Sequence, residues 1–120
     1  MGWKPDRKRP ICPQICERVC VRIARGELQP HGRMPSVREL AVELGVNPNT
    51  AQRSFELLEQ QGVLYSVPGT GWYVSADTAV AQSTVQAIIA DKTRLFFEEM
   101  FNLGLGTDAV KQTIKEWQYE

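Results

Sequence analysis

The residues best suited to molecular recognition lie in one short polar stretch near the middle of the chain. It contains Asn49, Thr50, Gln52 and Arg53, directly after Pro48. Amide and guanidinium groups carry forked hydrogen-bonding sites, which can pair with the edges of nucleic-acid bases or with phosphates. A short helix that is polar outside and free at its N-terminus can place such groups in a major groove. The stretch therefore predicts a surface that contacts nucleic acid.

A second group with chemical potential is formed by Cys12, Cys16 and Cys20, which recur every four residues along one predicted helix face. Three thiols in such a row can be a metal or redox sensor, or they can be small packing side chains. The single histidine, His31, is predicted in an exposed turn, and no fourth ligand is near in sequence. Packing is the favoured interpretation, so no cofactor is predicted, and the cysteines remain secondary metal candidates.

Catalysis and membrane insertion are not expected. The 120 residues contain no glycine-rich phosphate loop, no HExxH motif and no nucleophile elbow. No apolar run approaches the roughly 18–20 residues of a transmembrane helix, and no secretory signal is recognised. Three cysteines, an odd number, fit a reducing compartment. We therefore expect a cytoplasmic protein that is not an enzyme and has no membrane partner.

Charge is distributed unevenly along a chain whose formal net charge is zero. Residues 1–75 hold 10 of the 14 basic and 7 of the 14 acidic side chains, whereas residues 76–120 hold 4 basic and 7 acidic ones. The N-terminal part is therefore net positive and can meet a polyanion. This charge permits binding to nucleic acid but does not by itself indicate it.

The elements that must position the polar stretch are predicted from local signals. Apolar residues recur every four positions over 11–24, which predicts a helix. Ser36 and Glu39 form a predicted capping box for a second helix, and Gly45 ends that helix in a left-handed conformation. Asn47 is the predicted N-cap of a third helix, so the polar stretch lies in its first turns.

A small β-hairpin is predicted after the third helix. Two short runs rich in Val, Tyr and Trp, at 64–67 and 71–74, flank the turn residues 68–70. Two helices joined by a tight turn and followed by a hairpin form a winged helix-turn-helix. The predicted fold class is mainly α with a small β-hairpin, a winged helix-turn-helix followed by two C-terminal α-helices.

The two C-terminal helices are predicted at about 79–103 and from an N-cap at Thr107 to about Trp117. Their apolar stripe is too wide to remain in solvent without a core of its own, so we expect a dimer interface. A ligand pocket is the alternative, although two helices enclose a drug-sized cavity only if the interface contributes to it. The candidate dimerisation residues are Ile89, Phe96, Phe97, Met100, Phe101 and Trp117.

These elements divide the chain into two predicted domains. Residues 1–75 form the winged helix-turn-helix DNA-binding domain, which begins with a flexible arm at 1–9 because that segment is polar, basic and punctuated by proline. Residues 76–120 form the helical dimerisation region.

Several short motifs occur in order along the first domain: Pro10-Ile11, Gln14-Ile15, Gly26-Glu27-Leu28, PSVREL at 35–40, Leu44-Gly45-Val46, LLEQQ at 57–61, Gly62-Val63-Leu64, and the glycines Gly69 and Gly71. In identity and spacing, they resemble the DNA-binding domain of the GntR family of bacterial transcription regulators. The run VNPNTAQR at 46–53 and the short tail are similar to the YtrA-type branch, in which two C-terminal helices make a dimer.

The resemblance implies a transcription regulator, a repressor, that binds double-stranded DNA as a homodimer at a pseudo-palindromic operator. A small-molecule effector is allowed as a further partner. Where the family's wing tip is frequently basic, residues 66–70 carry no charge, and a lost phosphate contact weakens binding and flattens its salt dependence. The implied DNA-contacting residues are Ser36, Arg38, Asn47, Asn49, Thr50, Gln52, Arg53 and Gly71.

Two alternatives stay open on the sequence. A winged helix can serve as a protein-interaction module without sequence-specific DNA binding, in which case Asn49 and Gln52 are ordinary solvated side chains. Arg38 would then be a surface charge that pairs with Glu39 or Glu43. The other alternative is a thiol- or metal-responsive regulator that uses the three cysteines.

Overall fold

The computed structural model describes residues 3–118, which form five helices and one two-stranded sheet. In chain order these are α1 (Ile11–Ala24), α2 (Val37–Leu44), α3 (Pro48–Gln60), β1 (Leu64–Val67), β2 (Gly71–Val74), α4 (Ala79–Asn102) and α5 (Thr107–Glu116). The predicted fold class is confirmed. Within residues 3–118, no helix is both long and apolar enough to cross a membrane.

The turn between α2 and α3 forms as the local signals predict. The Ser36 hydroxyl accepts the Glu39 N–H at 3.0 Å, and the Ser36 N–H donates to the Glu39 carboxylate at 3.3 Å. Gly45 ends α2 at φ +66°, a conformation that residues with a side chain rarely adopt. Asn47 Oδ1 then accepts the N–H of Asn49 at 2.8 Å, so α3 begins directly after the turn.

One apolar core joins α1, α2, α3, the hairpin and the start of α4. Phe55 and Leu58 of α3 are fully buried in it. The Phe55 ring meets the Trp72 ring of β2 edge to face, with 5.5 Å between ring centroids. Aromatic pairs of this kind add about 0.5–1.5 kcal/mol to the free energy of burial. The core therefore couples α3 to the hairpin.

A short segment of the chain before α2 pairs with the free edge of the hairpin. In the antiparallel pair β1–β2, Leu64 lies opposite Val74 and Val67 opposite Gly71. On the other side of β2, Arg33 forms an isolated bridge with Tyr73, and the Met34 N–H donates to the Trp72 carbonyl at 2.8 Å. The segment before α2 therefore lies along the outer edge of β2, where it covers hydrogen-bonding groups that would otherwise be exposed.

The chain divides into two compact units, Met1–Val85 and Gln86–Glu120. The first unit extends beyond the domain boundary expected at residue 75 because Ala81, near the start of α4, is buried in its core. In the second unit, Gly106 is the N-cap of α5, so the predicted cap residue, Thr107, is the first residue of the helix. That prediction was therefore wrong by one position.

The N-terminal arm, predicted to be flexible over 1–9, is held by hydrogen bonds in its described part. The Asp6 N–H donates to the Gln14 side chain, and the Gln14 amide donates back to the Asp6 carbonyl, both at 2.8 Å. Arg7 Nη2 donates to the Gly45 carbonyl at 2.7 Å. The arm thus reaches the turn between α2 and α3. The first two residues lie outside the described residues.

Candidate nucleic-acid interface

The N-terminal turns of α3 carry the candidate site. Asn49, Gln52 and Arg53 are exposed, and Thr50 is half-buried. In the described part of the chain, neither the Asn49 amide nor the Arg53 guanidinium has a hydrogen-bond partner, so both forked groups are available to a ligand. They lie at a groove of about 220 Å³, whose lining residues are Cys12, Asn47, Asn49, Thr50 and Arg53.

Two predicted contact residues, the N-cap Asn47 and Gln52 of α3, already make hydrogen bonds within the domain. Asn47 Oδ1 is used in the helix cap, which leaves its NH₂ group as the free donor. Gln52 Nε2 donates to Glu56 Oε1 at 2.9 Å, one turn further along the helix. Both Gln52 and Glu56 are exposed, so this bond is worth only a few tenths of a kcal/mol and yields readily to a better acceptor.

The inner face of α3 is anchored on α1 through Ser54, a buried polar residue that no sequence signal indicated. Its hydroxyl donates to the Thr50 carbonyl at 2.8 Å and lies 3.2 Å from Cys12 Sγ. Its carbonyl accepts the Cys16 thiol at 3.5 Å. A buried hydroxyl without partners would cost about 1–3 kcal/mol, so these contacts allow serine at this position.

The two predicted residues near the start of α2 have different surroundings. The Ser36 hydroxyl is engaged in the capping box as an acceptor, but its hydrogen remains free to donate to a phosphate. Arg38 is exposed, and within residues 3–118 it takes part in no ion pair. The Glu39 carboxylate instead accepts from the Ser36 N–H. Arg38 is therefore available to an anionic ligand.

At the hairpin, hereafter the wing, Gly71 begins β2 at φ +139°, which strongly favours glycine. Arg33 Nη2 donates to the Thr70 carbonyl at 2.8 Å, so an arginine lies beside a wing tip that itself carries no charge. Arg33 was not predicted, because its place beside the wing depends on its pairing with Tyr73, a residue far away in the sequence. No local signal in the sequence indicates such a pairing.

His31 is exposed, as predicted, and it also braces the wing. Its Nδ1 lies 2.9 Å from the Tyr65 hydroxyl, and its backbone has φ +62°. The Tyr65 ring stacks on the Tyr73 ring with 5.6 Å between centroids. The turn before α2 is thus tied to both strands of the wing.

The surroundings of the cysteines favour the packing interpretation. Within residues 3–118, no group of three or more His, Cys, Asp or Glu side chains is arranged to hold a metal ion. Burial, together with the neighbouring Cys12 thiol, raises the pKa of Cys16 from 9.0 to about 12, and burial also raises the pKa of Cys20. Because the thiolate is the form that reacts and binds metals, both cysteines are poorly suited to sensing.

We therefore expect Cys16 to be alkylated by iodoacetamide at pH 8 at least about 100-fold more slowly in the native protein than in guanidinium chloride. Timed quenching and peptide mass spectrometry would measure both rates. The same pKa shift lowers stability as pH rises from 9 towards 12, because the unfolded chain loses the Cys16 proton first. Equal native and denatured rates would contradict this prediction and favour the thiol-responsive alternative.

In the second unit, all six predicted dimerisation residues remain partly or largely exposed. The Phe97 ring contacts the rings of Phe96 and Phe101, with centroid distances of 5.7 and 5.9 Å. Ile89 and Trp117 are 49% and 66% exposed. An apolar cavity of about 340 Å³ is lined by Phe96, Met100, Thr113, Ile114 and Trp117. This apolar surface is unusual for helices that stay in water.

A capped helix, a tight turn, a second helix with free forked groups at its N-terminus and a wing define a winged helix-turn-helix of the DNA-binding class. The chain belongs to the GntR family, because the family model "Bacterial regulatory proteins, gntR family" matches residues 13–74. It is therefore a DNA-binding transcription regulator and not an enzyme. The predicted family resemblance is confirmed.

The similarity extends beyond the DNA-binding domain in some relatives. The "HTH-type transcriptional repressor YtrA" of Bacillus subtilis (strain 168) is 29% identical over 114 residues, which are 93% of this chain and 87% of that protein. A "GntR family transcriptional regulator from Listeria monocytogenes" has a TM-score of 0.80 at 32% identity, covering 95% of this chain and all of that one. AraR(DBD) in complex with operator ORE1 has a TM-score of 0.52 at 33% identity, covering 53% and 78%.

Proposed function

We propose that the protein is a cytoplasmic, sequence-specific regulator that binds a pseudo-palindromic operator as a homodimer and represses transcription. The observation that carries this proposal is the free N-terminal end of α3, where Asn49 and Arg53 expose forked groups with no partner in the described chain. A second support is the similarity to YtrA, which is named a repressor, and to AraR, which is seen with its operator.

In the proposed complex, the first turns of α3 enter the major groove. Arg53 has the geometry to bind a guanine edge, and Asn49 has the geometry to bind an adenine edge. Thr50, Gln52 and the Asn47 amide add contacts at the same end of α3. Arg38 and Ser36 bind backbone phosphates, which fixes the position of the helix. Gly71 lets the backbone of the wing approach the neighbouring minor groove.

The proposed dimer uses the exposed apolar surface of the second unit, formed by Ile89, Phe96, Phe97, Met100, Phe101 and Trp117. Burying that surface against a second copy removes it from water, at about 25 cal/mol for each Å² of apolar area. Two-fold symmetry would then place the two α3 helices on half-sites about one helical turn, or a multiple of it, apart. A small-molecule effector would act by binding one arrangement of the two copies better than another.

The experiment that tests this proposal is selection of the purified protein on a random duplex library at moderate salt, followed by sequencing. Enrichment of an inverted repeat is the expected result, because a symmetric dimer selects two related half-sites. Enrichment of a single unrepeated site would contradict the dimer. No enrichment, with reductant and with or without added metal, would contradict sequence-specific binding and favour the protein-interaction module.

Arg38→Ala is expected to weaken operator binding roughly 10-fold or more, because each copy of the proposed dimer loses a charged phosphate contact. Its dimer and melting temperature should stay unchanged, because the side chain is exposed and unpaired in the described chain. Fluorescence anisotropy with the selected operator would measure the affinity. The matched control is Arg94→Ala, an exposed arginine paired with Glu98 on its own helix. Equal affinities for the two variants would remove Arg38 from the site.

A further inference from the structure

We infer that Arg33 supplies the positive charge of the wing and binds a DNA backbone phosphate beside the wing tip. Arg33 precedes α2 in the sequence and belongs to none of the motifs or candidate residues that the sequence predicted. The inference rests on the proposed function, since it assigns a further contact to the same DNA-binding surface. It also identifies the ligand of this contact as phosphate rather than a base edge.

Arg33 reaches the wing through backbone pairing. Its bridge with Tyr73 places its backbone beside β2, and the neighbouring Met34 N–H to Trp72 carbonyl bond fixes the register. From there Nη2 donates to the Thr70 carbonyl at 2.8 Å. The guanidinium Nε and Nη2 lie 3.5 and 3.6 Å from the point that a Cβ of Gly71 would occupy. The charge is therefore held beside the backbone of the wing tip.

Most of the hydrogen-bonding capacity of this guanidinium is unused. Arginine has five N–H donors, and the Thr70 carbonyl takes one. Arg33 also borders an open groove of about 570 Å³ whose lining includes the carboxylates of Glu27 and Glu43. Glu27 already pairs with Arg22 at 3.3 Å and Arg25 at 3.1 Å. Among the residues described, no carboxylate lies within ion-pair distance of Arg33.

Phosphate is the ligand that fits these features best. The wing tip at 66–70 has no charge of its own, and the hydrogen bond from Arg33 to the Thr70 carbonyl places a cation directly beside it. A guanidinium group can donate two parallel hydrogen bonds to two oxygens of one phosphate. A guanidinium that a carbonyl already holds in place loses less conformational entropy when it binds. Arg33 is exposed, so it can reach a ligand without unfolding the wing.

The test compares Arg33→Gln and Arg33→Lys with the unchanged protein, on the selected operator and on a random-sequence duplex, over a range of salt concentrations. Arg33→Gln removes the charge, and we expect it to weaken binding to both duplexes equally, roughly tenfold at 0.1 M salt. The slope of log affinity against log salt should fall by about two, one for the Arg33 of each copy in the proposed dimer. Arg33→Lys keeps the charge and should keep the slope. Arg94→Gln, which removes the same charge from the second unit, should bind like the unchanged protein.

The possible results distinguish a failure of the Arg33 phosphate contact from a failure of the proposed function. If the unchanged protein binds DNA and Arg33→Gln has the same salt slope, the phosphate contact is overturned and the proposed function stands. A loss confined to the operator would also overturn it, because a phosphate contact is independent of sequence. If Arg33→Lys loses as much DNA affinity as Arg33→Gln, at equal melting temperatures, then Arg33 only stabilises the wing tip through its hydrogen bond to Thr70. If the unchanged protein binds neither duplex, both the function and the inference fail.

Discussion

Replacing Phe101 with aspartate is expected to turn the protein into monomers at micromolar concentration. Phe101 is 46% exposed in a single copy, and its ring lies 5.9 Å from that of Phe97, within the surface proposed to meet a second copy. Dimerisation of the variant would bury two unpaired carboxylates, one from each copy. Each uncompensated buried charge costs about 3–5 kcal/mol, which corresponds to a dissociation constant at least about 100-fold higher.

Sedimentation velocity at several concentrations would measure the effect of Phe101→Asp. The matched control is Asn102→Asp, which adds the same charge at the next position, on a different side of α4, and should remain dimeric. Circular dichroism should show that both variants keep their helices, because Phe101 is not part of the core of the first unit. A Phe101→Asp protein that sediments as a dimer would place the interface elsewhere.

Loss of the proposed dimer should also weaken operator binding, although Phe101 lies in neither α3 nor the wing. A dimer that occupies one half-site holds its second domain near the other half-site at a high effective concentration. A monomer loses this advantage on the operator, while its affinity for a single half-site stays the same. Measuring both affinities therefore distinguishes a defect in dimerisation from a defect in DNA contact.

Much of the fold was predictable because its signals are local. The capping box joins Ser36 to Glu39, and the cap of α3 joins Asn47 to Asn49, so each depends on residues only two or three positions apart. The left-handed Gly45 likewise marks its own position. Such contacts form whenever the chain adopts the local conformation, and the residue types alone indicate them. The order of helix, turn, helix and wing followed directly.

The features that the sequence did not predict depend on residues distant along the chain. Arg33 meets Thr70 and Arg7 meets Gly45 across 37 and 38 positions, and Ser54 lies near Cys12 across 42. No composition or spacing rule connects such pairs, because each exists only once the core has formed. The arm was predicted to be flexible for this reason: its polar residues resemble a solvated tail until their acceptors are known.

The second large effect is expected from Phe55→Ala, which should lower the free energy of unfolding by about 3–5 kcal/mol. Phe55 is fully buried in the core and forms the edge-to-face contact with Trp72. The substitution leaves a cavity between α3 and the wing, and the surrounding side chains can move only partly into it. Urea unfolding followed by tryptophan fluorescence would measure the change.

The control for Phe55→Ala is Leu57→Ala on the same helix. Because Leu57 is only half-buried, its replacement should lower the free energy of unfolding by a clearly smaller amount. Comparable losses for the two would contradict the central position of Phe55 in the core. Since Phe55 connects α3 to β2, operator affinity measured well below the melting temperature should also fall, because α3 and the wing would no longer be held in one fixed orientation. Leu57 instead lines a groove together with Cys16 of α1 and Val80 of α4, so Leu57→Ala should retain its affinity under the same conditions.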